Sequence, residues 1–373
     1  MKMKITCERD KLLSAFQTAA SVAPARSPKA ILQNIKLEAE QDKAILMATD
    51  LEVGIRIEVA GVNVEVPGSV VLPTKRFGDI LRESSDEKLF LEADGQNTTV
   101  RGERSEFKLP GENPQEFPAV AGFAEEKFHE IPARLLREAI RRTIFATDNE
   151  SSRFALGGVL VEFHAESIVA VGTDGRRLAK MEGAAASHGG HDSGEAMTIV
   201  PARALQLIER AVSDADAEVQ IAARGNDVLI HTPRATIYSR LVEGRFPKWR
   251  DVFPQREDGI KIELVVGPLH AAVRQAAIVT SEESRGIDFT FGGGSLVLAG
   301  KAAEVGQSRV ELPISYDGAE ITAVLDPRYM SEFLKVLDAE RTVTVEIKDA
   351  ESAVVCSTDD GYGYVIMPMA RDR

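Results

Sequence analysis

Three short groups of residues have side chains and a spacing that could bind a metal ion, bind phosphate or serve acid–base catalysis. His188 and His191 form an H-x-x-H pair that could bind a metal, but the glycines and serines around it predict a solvated loop with two surface histidines. The run Gly292–Gly294 lacks the lysine of a phosphate-binding loop and the spacing of a dinucleotide fingerprint, so it predicts a hairpin turn. Asp359 and Asp360 are followed by a glycine and predict a turn before the last strand.

Other catalytic machinery is not recognisable in the sequence, which has no metal-ligand cluster, no cofactor fingerprint and no Ser, Cys or His in a nucleophile setting. This pattern favours a binding protein over an enzyme and predicts that the chain needs no cofactor and no metal. A DNA-processing enzyme that binds Mg²⁺ through Asp359 and Asp360 is an alternative. It would require turnover that depends on Mg²⁺ and that is lost in Asp359→Ala.

The strongest binding signal is positive charge on one helical segment. This segment carries one glutamate and four arginines: Arg134, Arg137, Arg141 and Arg142. Such a helix is typical of a phosphate-facing surface, although an ordinary solvated helix face would look the same.

The distribution of charge over the whole chain favours the phosphate-facing interpretation. A net charge of −13 would by itself argue against a nucleic-acid partner, because an acidic surface repels phosphate. The six predicted helical segments together carry +7, however, which leaves −20 for the rest of the chain. Basic helices would hold duplex DNA without reading its sequence, and the acidic sheets and loops would repel it elsewhere.

Composition predicts a folded cytoplasmic protein. Hydrophobic residues make up 44% and charged residues 28%, which excludes disordered, collagen-like and coiled-coil classes, and 373 residues predict two or three domains. Cys7 and Cys356 are too few for a disulfide framework and predict core residues in a reducing compartment. The charged segment Met1–Lys11 does not resemble a signal peptide, and no run approaches the ~18 apolar residues of a membrane span. We therefore expect no membrane association.

The elements that position these residues occur three times along the chain. Each third opens with a short alternating strand and a helical pattern, and a second helical pattern follows about sixty residues later. The equivalent positions are Leu12, Leu135 and Leu269 in the first pattern, and Pro73, Pro201 and Pro327 at the start of the second. Proline is favoured at the first position of a helix, where its missing N–H costs nothing. Five of the six helices are predicted to begin this way: Pro73, Pro132, Pro201, Pro268 and Pro327, the last with Asp326 as its cap.

Period-2 segments after each second helix, such as Glu218–Ile221 and Val343–Ile347, predict half-buried antiparallel strands. The unit is therefore α+β, with helices packed on one face of antiparallel sheets. Proline-containing extended stretches precede two predicted boundaries, which give domains at 1–126, 127–256 and 257–373. The segment Ala184–Glu195 predicts a solvated loop.

Three motifs resemble those of the bacterial DNA polymerase III β subunit family, the replicative sliding clamps: Thr173–Ala179, Leu241–Pro247 and Tyr364–Met369. The resemblance covers essentially the whole chain, and the threefold repeat, the basic helices and the length agree with it. It implies the DNA clamp fold, a head-to-tail homodimeric ring of six similar domains whose helices line a central hole. It also implies a non-catalytic processivity factor that encircles duplex DNA and slides, because phosphate contacts carry little sequence information.

The resemblance further implies a pocket between the second and third domains for short peptides of the DNA polymerase III α subunit, the clamp loader δ subunit, repair polymerases and mismatch repair proteins. Methionine and leucine side chains suit a surface that must accept several partners. The matching residues are Leu156, Thr173, Gly175, Arg176, Arg177, Leu178, Pro247, Val252, Tyr329, Val365, Met367, Pro368 and Met369. Judged by alternation alone, Val365–Met369 would be an ordinary final core strand.

Contacts to DNA are implied at Arg26 in an early loop and at Arg153 and Phe154 in a second loop. We add Arg137 and Arg141 from their charge alone. At the subunit seam, the matching residues are Phe107 and Leu109 of the first domain against Ile278 and Val279 of the third. A heterologous contact of this kind closes a ring only if its rotation is right.

The sequence departs from the family pattern beside the pocket. Asp251 stands where the family often has arginine, Ser284 stands where an aromatic gate occurs, and the chain continues through Ala370–Arg373. The peptide preference of this pocket therefore does not follow from the resemblance. A second alternative is a monomeric repeat scaffold that binds proteins but not DNA, in which the basic helices are ordinary solvated faces.

Overall fold

The computed structural model describes residues 2–95, 97–148, 150, 155–192, 197–212, 214–254, 258–281 and 285–370. In the first third of the chain the elements are β1 Met3–Glu8, α1 Arg9–Ala20, β2 Asn34–Ala39, β3 Ala44–Thr49, β4 Val53–Val59, β5 Val62–Val66, β6 Gly68–Pro73, α2 Thr74–Glu83, β7 Lys88–Ala93, β8 Asn97–Arg101 and β9 Glu106–Pro110. A single 3₁₀ turn, Ala30–Gln33, precedes β2.

In the second third the elements are β10 Phe128–Pro132, α3 Ala133–Thr143, β11 Gly158–His164, β12 Ser167–Thr173, β13 Arg177–Ala184, β14 Ala186–His188, β15 Thr198–Pro201, α4 Ala202–Ala211, β16 Glu218–Ala223, β17 Asp227–His231 and β18 Ala235–Arg240. A 3₁₀ turn, Ile144–Ala146, follows α3.

The last third contains α5 Trp249–Val252, β19 Ile260–Val265, α6 Val266–Ala276, β20 Ile287–Gly292, β21 Ser295–Ala302, β22 Gly306–Pro313, β23 Ile321–Leu325, α7 Pro327–Lys335, β24 Thr342–Ile347, β25 Val354–Ser357 and β26 Tyr362–Ile366. A 3₁₀ turn, Ala277–Val279, follows α6. From β1, β10 and β19 onward, each third has the same order of strand, helix, strands, helix and final strands. The predicted threefold repeat and the α+β class are therefore confirmed.

Proline positions in the repeats are partly as predicted. Pro327 is the first residue of α7, and the Asp326 carboxylate caps that helix by accepting the Arg328 N–H at 2.9 Å. The prediction is wrong for the other four helices. Three prolines end a strand and precede the helix by one residue, and the fourth is the third residue of α6: Pro73, Pro132, Pro201 and Pro268. The φ fixed by the proline ring suits the extended residue before a helix as well as the first helical residue.

The chain divides into two compact units. Unit 1 comprises residues 1–137 and 185–241. One of its sheets runs β5-β1-β7-β8-β9, and the other runs β14-β10-β16-β17-β18-β4-β3-β2-β6. The last strand of the second repeat, β18, therefore pairs with β4 of the first repeat. Beside these sheets α1 packs against α2 through Phe16 and Phe77, whose ring centres are 5.0 Å apart.

Unit 2 comprises residues 138–184 and 242–373. One sheet contains the series β11-β12-β13-β26-β25-β24-β19, so the last strand of the third repeat, β26, pairs with β13 of the second. A second sheet runs β22-β21-β20-β23. In the core, Phe333 of α7 stacks on Tyr364 of β26 with the ring centres 4.7 Å apart.

The glycine run forms the predicted hairpin turn, and the two cysteines lie in the core as predicted. Gly292–Gly294 joins β20 to β21 with positive φ at Gly293 and Gly294, values that glycine adopts without strain. Cys7 and Cys356 are buried, and burial raises the pKa of both thiols to about 12. Neither thiol is therefore a reactive thiolate near neutral pH. No helix among the described residues has the length and the apolar composition that crossing a membrane requires.

The prediction of a solvated loop with two surface histidines is wrong in part. Residues Ala186–His188 form β14, which pairs with β10, and His191 is only 6% exposed. The His191 Nδ1 lies 2.7 Å from the Nδ1 of His129, and its Nε2 accepts the Ala223 N–H at 3.0 Å. His188 stays at the surface. No local pattern could indicate this contact between His129 and His191, because His129 lies on β10, 62 positions earlier in the chain.

Candidate functional site

The turn between β12 and β13 is the centre of the candidate site, and its residue types follow from its hydrogen bonds. The Thr173 hydroxyl donates to the carbonyl of Arg177 at 2.6 Å and accepts the Gly175 N–H at 3.1 Å. The Asp174 carboxylate accepts the N–H groups of Arg176 and Arg177 at 2.9 and 3.0 Å. Gly175 has a φ of +87°, a left-handed conformation that favours glycine. The T-D-G sequence therefore encodes a rigid turn.

Arg177 ties this turn to the third repeat within unit 2. Its buried guanidinium donates to Asp174 Oδ2 at 3.0 Å and to the Phe145 carbonyl at 2.7 Å, and it forms an ion pair with Glu332 on α7. Burial alone would lower the pKa of Arg177, but Tyr364 and Glu332 outweigh that effect and raise it. The side chain is therefore always charged and fully partnered, and it has a positioning role.

The C-terminal segment is anchored beside the same turn. Tyr364 donates its hydroxyl hydrogen to the carbonyl of Tyr329 at 3.0 Å, and the Met367 N–H donates to the carbonyl of Arg176 at 3.0 Å. Two residues further on, the Met369 N–H donates to the carbonyl of Val324 on β23 at 2.8 Å. The backbone of this segment is fixed, yet the side chains of Met367 and Met369 are 43% and 38% exposed. The result is an apolar surface on a rigid support.

The short helix α5 adds a further apolar side chain to unit 2. Trp249 donates to Glu162 at 3.1 Å, and Arg250 binds the same carboxylate through two hydrogen bonds of 2.9 and 2.6 Å. Burial alone would raise the pKa of Glu162, but the hydrogen bonds from Arg250 and Trp249 outweigh it and lower that pKa. The anchored helix leaves Val252 exposed, with Asp251 exposed beside it.

The thirteen pocket residues fall into three groups by exposure. Five are exposed: Gly175, Arg176, Val252, Met367 and Met369. Three are half-buried: Pro247, Tyr329 and Pro368. Five are buried and can act only as support: Leu156, Thr173, Arg177, Leu178 and Val365. The hydrogen bonds bring the turn, Tyr329 and the C-terminal segment together, and the Ala155 N–H bond to the Arg245 carbonyl links the neighbourhood of Leu156 to that of Pro247 at 3.0 Å.

Sequence reasoning missed three residues that hold the site. Asp174 has the signature of a side chain that caps a turn, and this signal was available locally. Phe145 and Glu332 contact Arg177 from 32 and 155 positions away, so no local pattern could have indicated them.

The arginines proposed to face DNA are not equivalent. Arg26, Arg134 and Arg141 are exposed, whereas Arg137 is half-buried, and its Nε has no hydrogen-bond partner among the residues that the structure describes. Within the described part of the chain, neither Arg134 nor Arg141 forms an ion pair. The two loop residues Arg153 and Phe154, like Ser284, lie outside the described residues.

Arg142 does not belong to the basic face, which corrects the interpretation of all four arginines as phosphate-facing. Its side chain is buried and binds Asp360 at 2.7 Å, and its guanidinium lies over the ring of Tyr362 at 5.2 Å. Tyr362 also donates its hydroxyl hydrogen to the Arg142 carbonyl at 2.9 Å. A buried charge must be paired, so this arginine serves the core.

The turn before β26 is also occupied by ion pairs. Asp360 is bound by Arg142 and by Arg341, at 2.7 and 2.8 Å, and Arg341 also contacts Asp359 at 2.5 Å. Burial alone would raise the pKa of Asp360, but Thr358 and Arg142 outweigh it and lower that pKa. Across the residues that the structure places, no group of three or more His, Cys, Asp or Glu side chains could hold a metal ion.

The proposed seam residues lie on the edge strand β9 and in the 3₁₀ turn after α6, and they differ in exposure. Phe107 on β9 is 40% exposed and Ile278 after α6 is 76% exposed, while Val279 is half-buried. Leu109 is 6% exposed, so its side chain belongs to the core of its own unit. Only the backbone of Leu109 is available at the edge.

Comparison with known proteins identifies the family. Models of the DNA polymerase III beta subunit match residues 3–121 (N-terminal domain), 130–248 (central domain) and 250–370 (C-terminal domain). The Beta sliding clamp of Pseudomonas aeruginosa is 29% identical over 98% of this chain and 100% of its own length, and that of Chlamydia pneumoniae is 28% identical over 98% and 99%. A crystal structure of a DnaN sliding clamp from Pseudomonas aeruginosa bound to griselimycin has a TM-score of 0.91 at 28% identity, and covers 99% of this chain and 100% of that one. The chain therefore belongs to the DNA polymerase III beta subunit family, and its function is that of a non-catalytic processivity factor for the replicative polymerase.

Proposed function

We propose that the chain joins a second copy head to tail in a closed ring that encircles duplex DNA, and that it holds the polymerase through the pocket around Arg177. The sequence repeats at 1–126, 127–256 and 257–373 then serve as the three clamp domains of each subunit. The ring makes and breaks no bond itself. It acts by topology, because a polymerase tethered to a closed ring stays on its template, and the location is the cytoplasm, where that template is.

The observation that carries the ring is the way the repeats pair their strands. In unit 1, the final strand of the second repeat, β18, pairs with β4, the third strand after the first helix of its repeat. In unit 2, the final strand of the third repeat, β26, pairs with β13, which has the same position in its repeat. The two corresponding strands that remain are β9, the final strand of the first repeat, and β22, the third strand after the first helix of the third repeat. Each has one neighbour among the described strands. A second copy would pair its β22 with the β9 of the first copy, and its β9 with the β22 of the first copy.

Exposed apolar side chains at these edges support this pairing. Sheet edges with unpaired N–H and C=O groups are ready to pair with another chain, and proteins protect them or use them. Phe107 on β9 and Ile278 near β22 are large apolar groups that water contacts in the single chain. A head-to-tail contact would form twice in a dimeric ring and would bury both side chains at each of the two seams. Such a ring closes when the rotation between the two copies is right.

Charge supports DNA in the hole of the ring. The helices are net basic and the rest of the chain is net acidic, so the helices are the main surface that attracts phosphate. The described residues assigned to this contact are Arg26, Arg137 and Arg141. Arg153 and Phe154, which lie outside the described residues, are assigned to it from the family resemblance. Contacts to phosphate fix no sequence, so the duplex can slide.

The pocket would bind short peptides by their apolar side chains. Met367, Met369 and Val252 offer exposed apolar surface, and methionine adapts to different partners. The proposed partners are the DNA polymerase III α subunit, the clamp loader δ subunit, repair polymerases and mismatch repair proteins. Competition between them for one pocket would order their access to DNA.

Titration of a peptide from the polymerase α subunit against single variants tests the pocket. Met369→Ala and Met367→Ala remove exposed side chains and leave the backbone anchors in place, so we expect about tenfold weaker binding from each lost apolar contact. Met197→Ala is the matched control, because that methionine belongs to unit 1 and is comparably exposed, at 49%. Parent affinity in both pocket variants would refute the site assignment.

A further inference from the structure

The short helix α5 and the residue after it are fixed to two strands of one sheet in unit 2. At the β11 end, Trp249 and Arg250 both bind the Glu162 carboxylate, at 3.1 and 2.6 Å. At the β26 end, the Phe253 ring fills the space that a side chain at Gly363 would need. Since β12 and β13 lie between these two strands, α5 crosses the sheet and is held at both ends.

The strand register places both anchors of α5 on the same face of the sheet. Glu162 pairs with Val169 on β12, and Val169 pairs with Glu182 on β13. Lys180 is two residues before Glu182 and pairs with Gly363 on β26. Paired residues, and residues two apart on one strand, point to the same face. The face that carries Glu162 is therefore the face that Phe253 covers at Gly363.

The floor of the pocket lies on this face, next to the β26 anchor of α5. Val365 is two residues beyond Gly363, and it pairs with Leu178 on β13. Both side chains are buried, and both lie one step along the strands toward the turn at Thr173–Arg177. The floor is therefore bounded by α5 on one side and by the turn on the other.

Two cations on this face are already paired within unit 2. Arg250 donates two hydrogen bonds to the Glu162 carboxylate, at 2.9 and 2.6 Å. The Lys180 ammonium lies 2.9 Å from the Glu182 carboxylate. Neither cation is therefore available to neutralise a further carboxylate on α5.

Asp251 is the residue of α5 that keeps a negative charge at the surface. It is exposed and directly precedes Val252, the exposed apolar residue of the pocket. Its N–H donates to the Lys248 carbonyl at 3.0 Å, and its carboxylate forms no ion pair with any residue that the structure describes. Lys248 itself precedes Trp249, so it belongs to the β11 end of α5, away from the floor. A peptide in the pocket would therefore meet the charge of Asp251 beside Val252.

We propose that Asp251 sets the charge preference of the pocket, which binds peptides with a lysine or arginine beside their apolar residues more tightly than peptides with a glutamate or aspartate there. This inference rests on the proposed function of the pocket and specifies the class of peptide that it accepts. A cation beside Asp251 is attracted and a carboxylate is repelled, so both effects separate the two classes. The charge lies at the rim, where water and salt screen it, so the preference is modest and decreases as the salt concentration rises.

Titration with two synthetic peptides tests the preference. Both peptides carry the apolar residues of the polymerase α-subunit peptide, with lysine beside them in one and glutamate in the other. At low salt we expect the parent protein to bind the lysine peptide about threefold more tightly, as for one exposed ion pair. Asp251→Asn should bring the ratio of the two affinities toward one, and Asp251→Arg should reverse it. Asparagine has the size of aspartate, so Asp251→Asn changes the charge and leaves the shape of the pocket as it is.

Asp317→Asn is the matched control for the net charge of the protein. It removes the same charge from an exposed position in unit 2. Asp317 precedes Ile321, the first residue of β23, whereas the C-terminal segment is bound near the other end of that strand, at Val324. The ratio of the two affinities in this variant should equal that of the parent.

The proposal is overturned if both Asp251 variants keep the parent ratio. It is also overturned if Asp317→Asn changes the ratio as much as Asp251→Asn does, because net charge would then account for the preference. Failure of the pocket itself is distinguishable, since Met369→Ala would then leave the affinity for both peptides unchanged, and the proposal would fall with the pocket.

Discussion

The guanidinium carbon of Arg177 lies 4.3 Å from the ring centre of Tyr329. Arg177 belongs to the second sequence repeat and Tyr329 to the third, so this contact connects two repeats within unit 2. Asp174, Glu332 and the Phe145 carbonyl hold the arginine from its other sides. The turn and α7 therefore have one fixed spacing, and the exposed methionines of the C-terminal segment lie on that frame.

Arg177→Ala is expected to weaken both the fold and the pocket. The change leaves Asp174 without its charged partner and empties the space over Tyr329, at a cost of about 2 kcal/mol in the free energy of unfolding. Peptide affinity should fall as well, because the turn and α7 lose their connection. Urea unfolding and peptide titration measure the two effects. The neighbouring Arg176→Ala removes an exposed arginine and should leave the unfolding free energy at the parent value.

Phe107→Ala is expected to shift the dimer toward monomer. It removes a large apolar group from the proposed edge contact of β9, which should weaken dimerisation by about 2 kcal/mol. Sedimentation over a dilution series measures this shift. Phe90→Ala is the control, since Phe90 is comparably exposed but lies on β7, inside the sheet. An unchanged dimer mass in Phe107→Ala at every dilution would show that the seam is elsewhere.

Two adjacent arginines of α3 should separate DNA binding from stability. Arg141→Ala removes an exposed cation, so the slope of log affinity for duplex DNA against log salt should fall by about one while unfolding is unaffected. Arg142→Ala should leave that slope unchanged and lower the unfolding free energy by about 2 kcal/mol, because Asp360 keeps Arg341 but loses its buried partner. Equal salt slopes in Arg141→Ala and the parent would remove Arg141 from the DNA surface.

Stability should fall in mild acid through the contact between His129 and His191. Burial, with the charge of His129 second, lowers the pKa of His191 from its ordinary value of 6.5. The unfolded chain then binds a proton that the folded chain does not, so this contribution is fully present above pH 6.5 and is lost as the pH falls through the lowered pKa.

His191→Gln isolates that contribution from those of His231 and His270, whose pKa values burial also lowers. The unfolding free energy of the parent should decrease more steeply below pH 6.5 than that of the variant. Urea midpoints on both sides of this pH measure the difference. Parallel curves of unfolding free energy against pH for the two proteins would rule out a contribution from the His129–His191 contact.

Much of the fold could be predicted from the sequence because its signals are local. The spacing of Leu12, Leu135 and Leu269 showed the repeat, and alternation showed strands such as Glu218–Ala223. Proline marked where helices begin within one or two residues, but its ring suits both the end of a strand and the start of a helix, so the exact position was often wrong.

The rest depended on contacts between distant positions. Arg142 sits in a helical pattern with four arginines, and its burial depends on Asp360 and Tyr362, which lie 218 and 220 positions later. The local sequence predicts His191 to be a surface histidine in a loop, but β10 places His129 beside it and His191 is buried. The pocket motif was recognisable, whereas the partners that hold Arg177 were not. Local patterns predict the individual helices and strands, whereas charge pairs between distant residues in the core help to determine how these elements pack.

The most direct test of the ring is retention on DNA of defined topology. The protein is loaded on nicked circular plasmid with an active clamp loader, the complex is isolated, and the circle is cut once. A closed sliding ring predicts retention on the uncut circle and loss after the cut, because the protein runs off the free ends. Retention after the cut would contradict this account, since it would show that surface binding holds the protein on DNA.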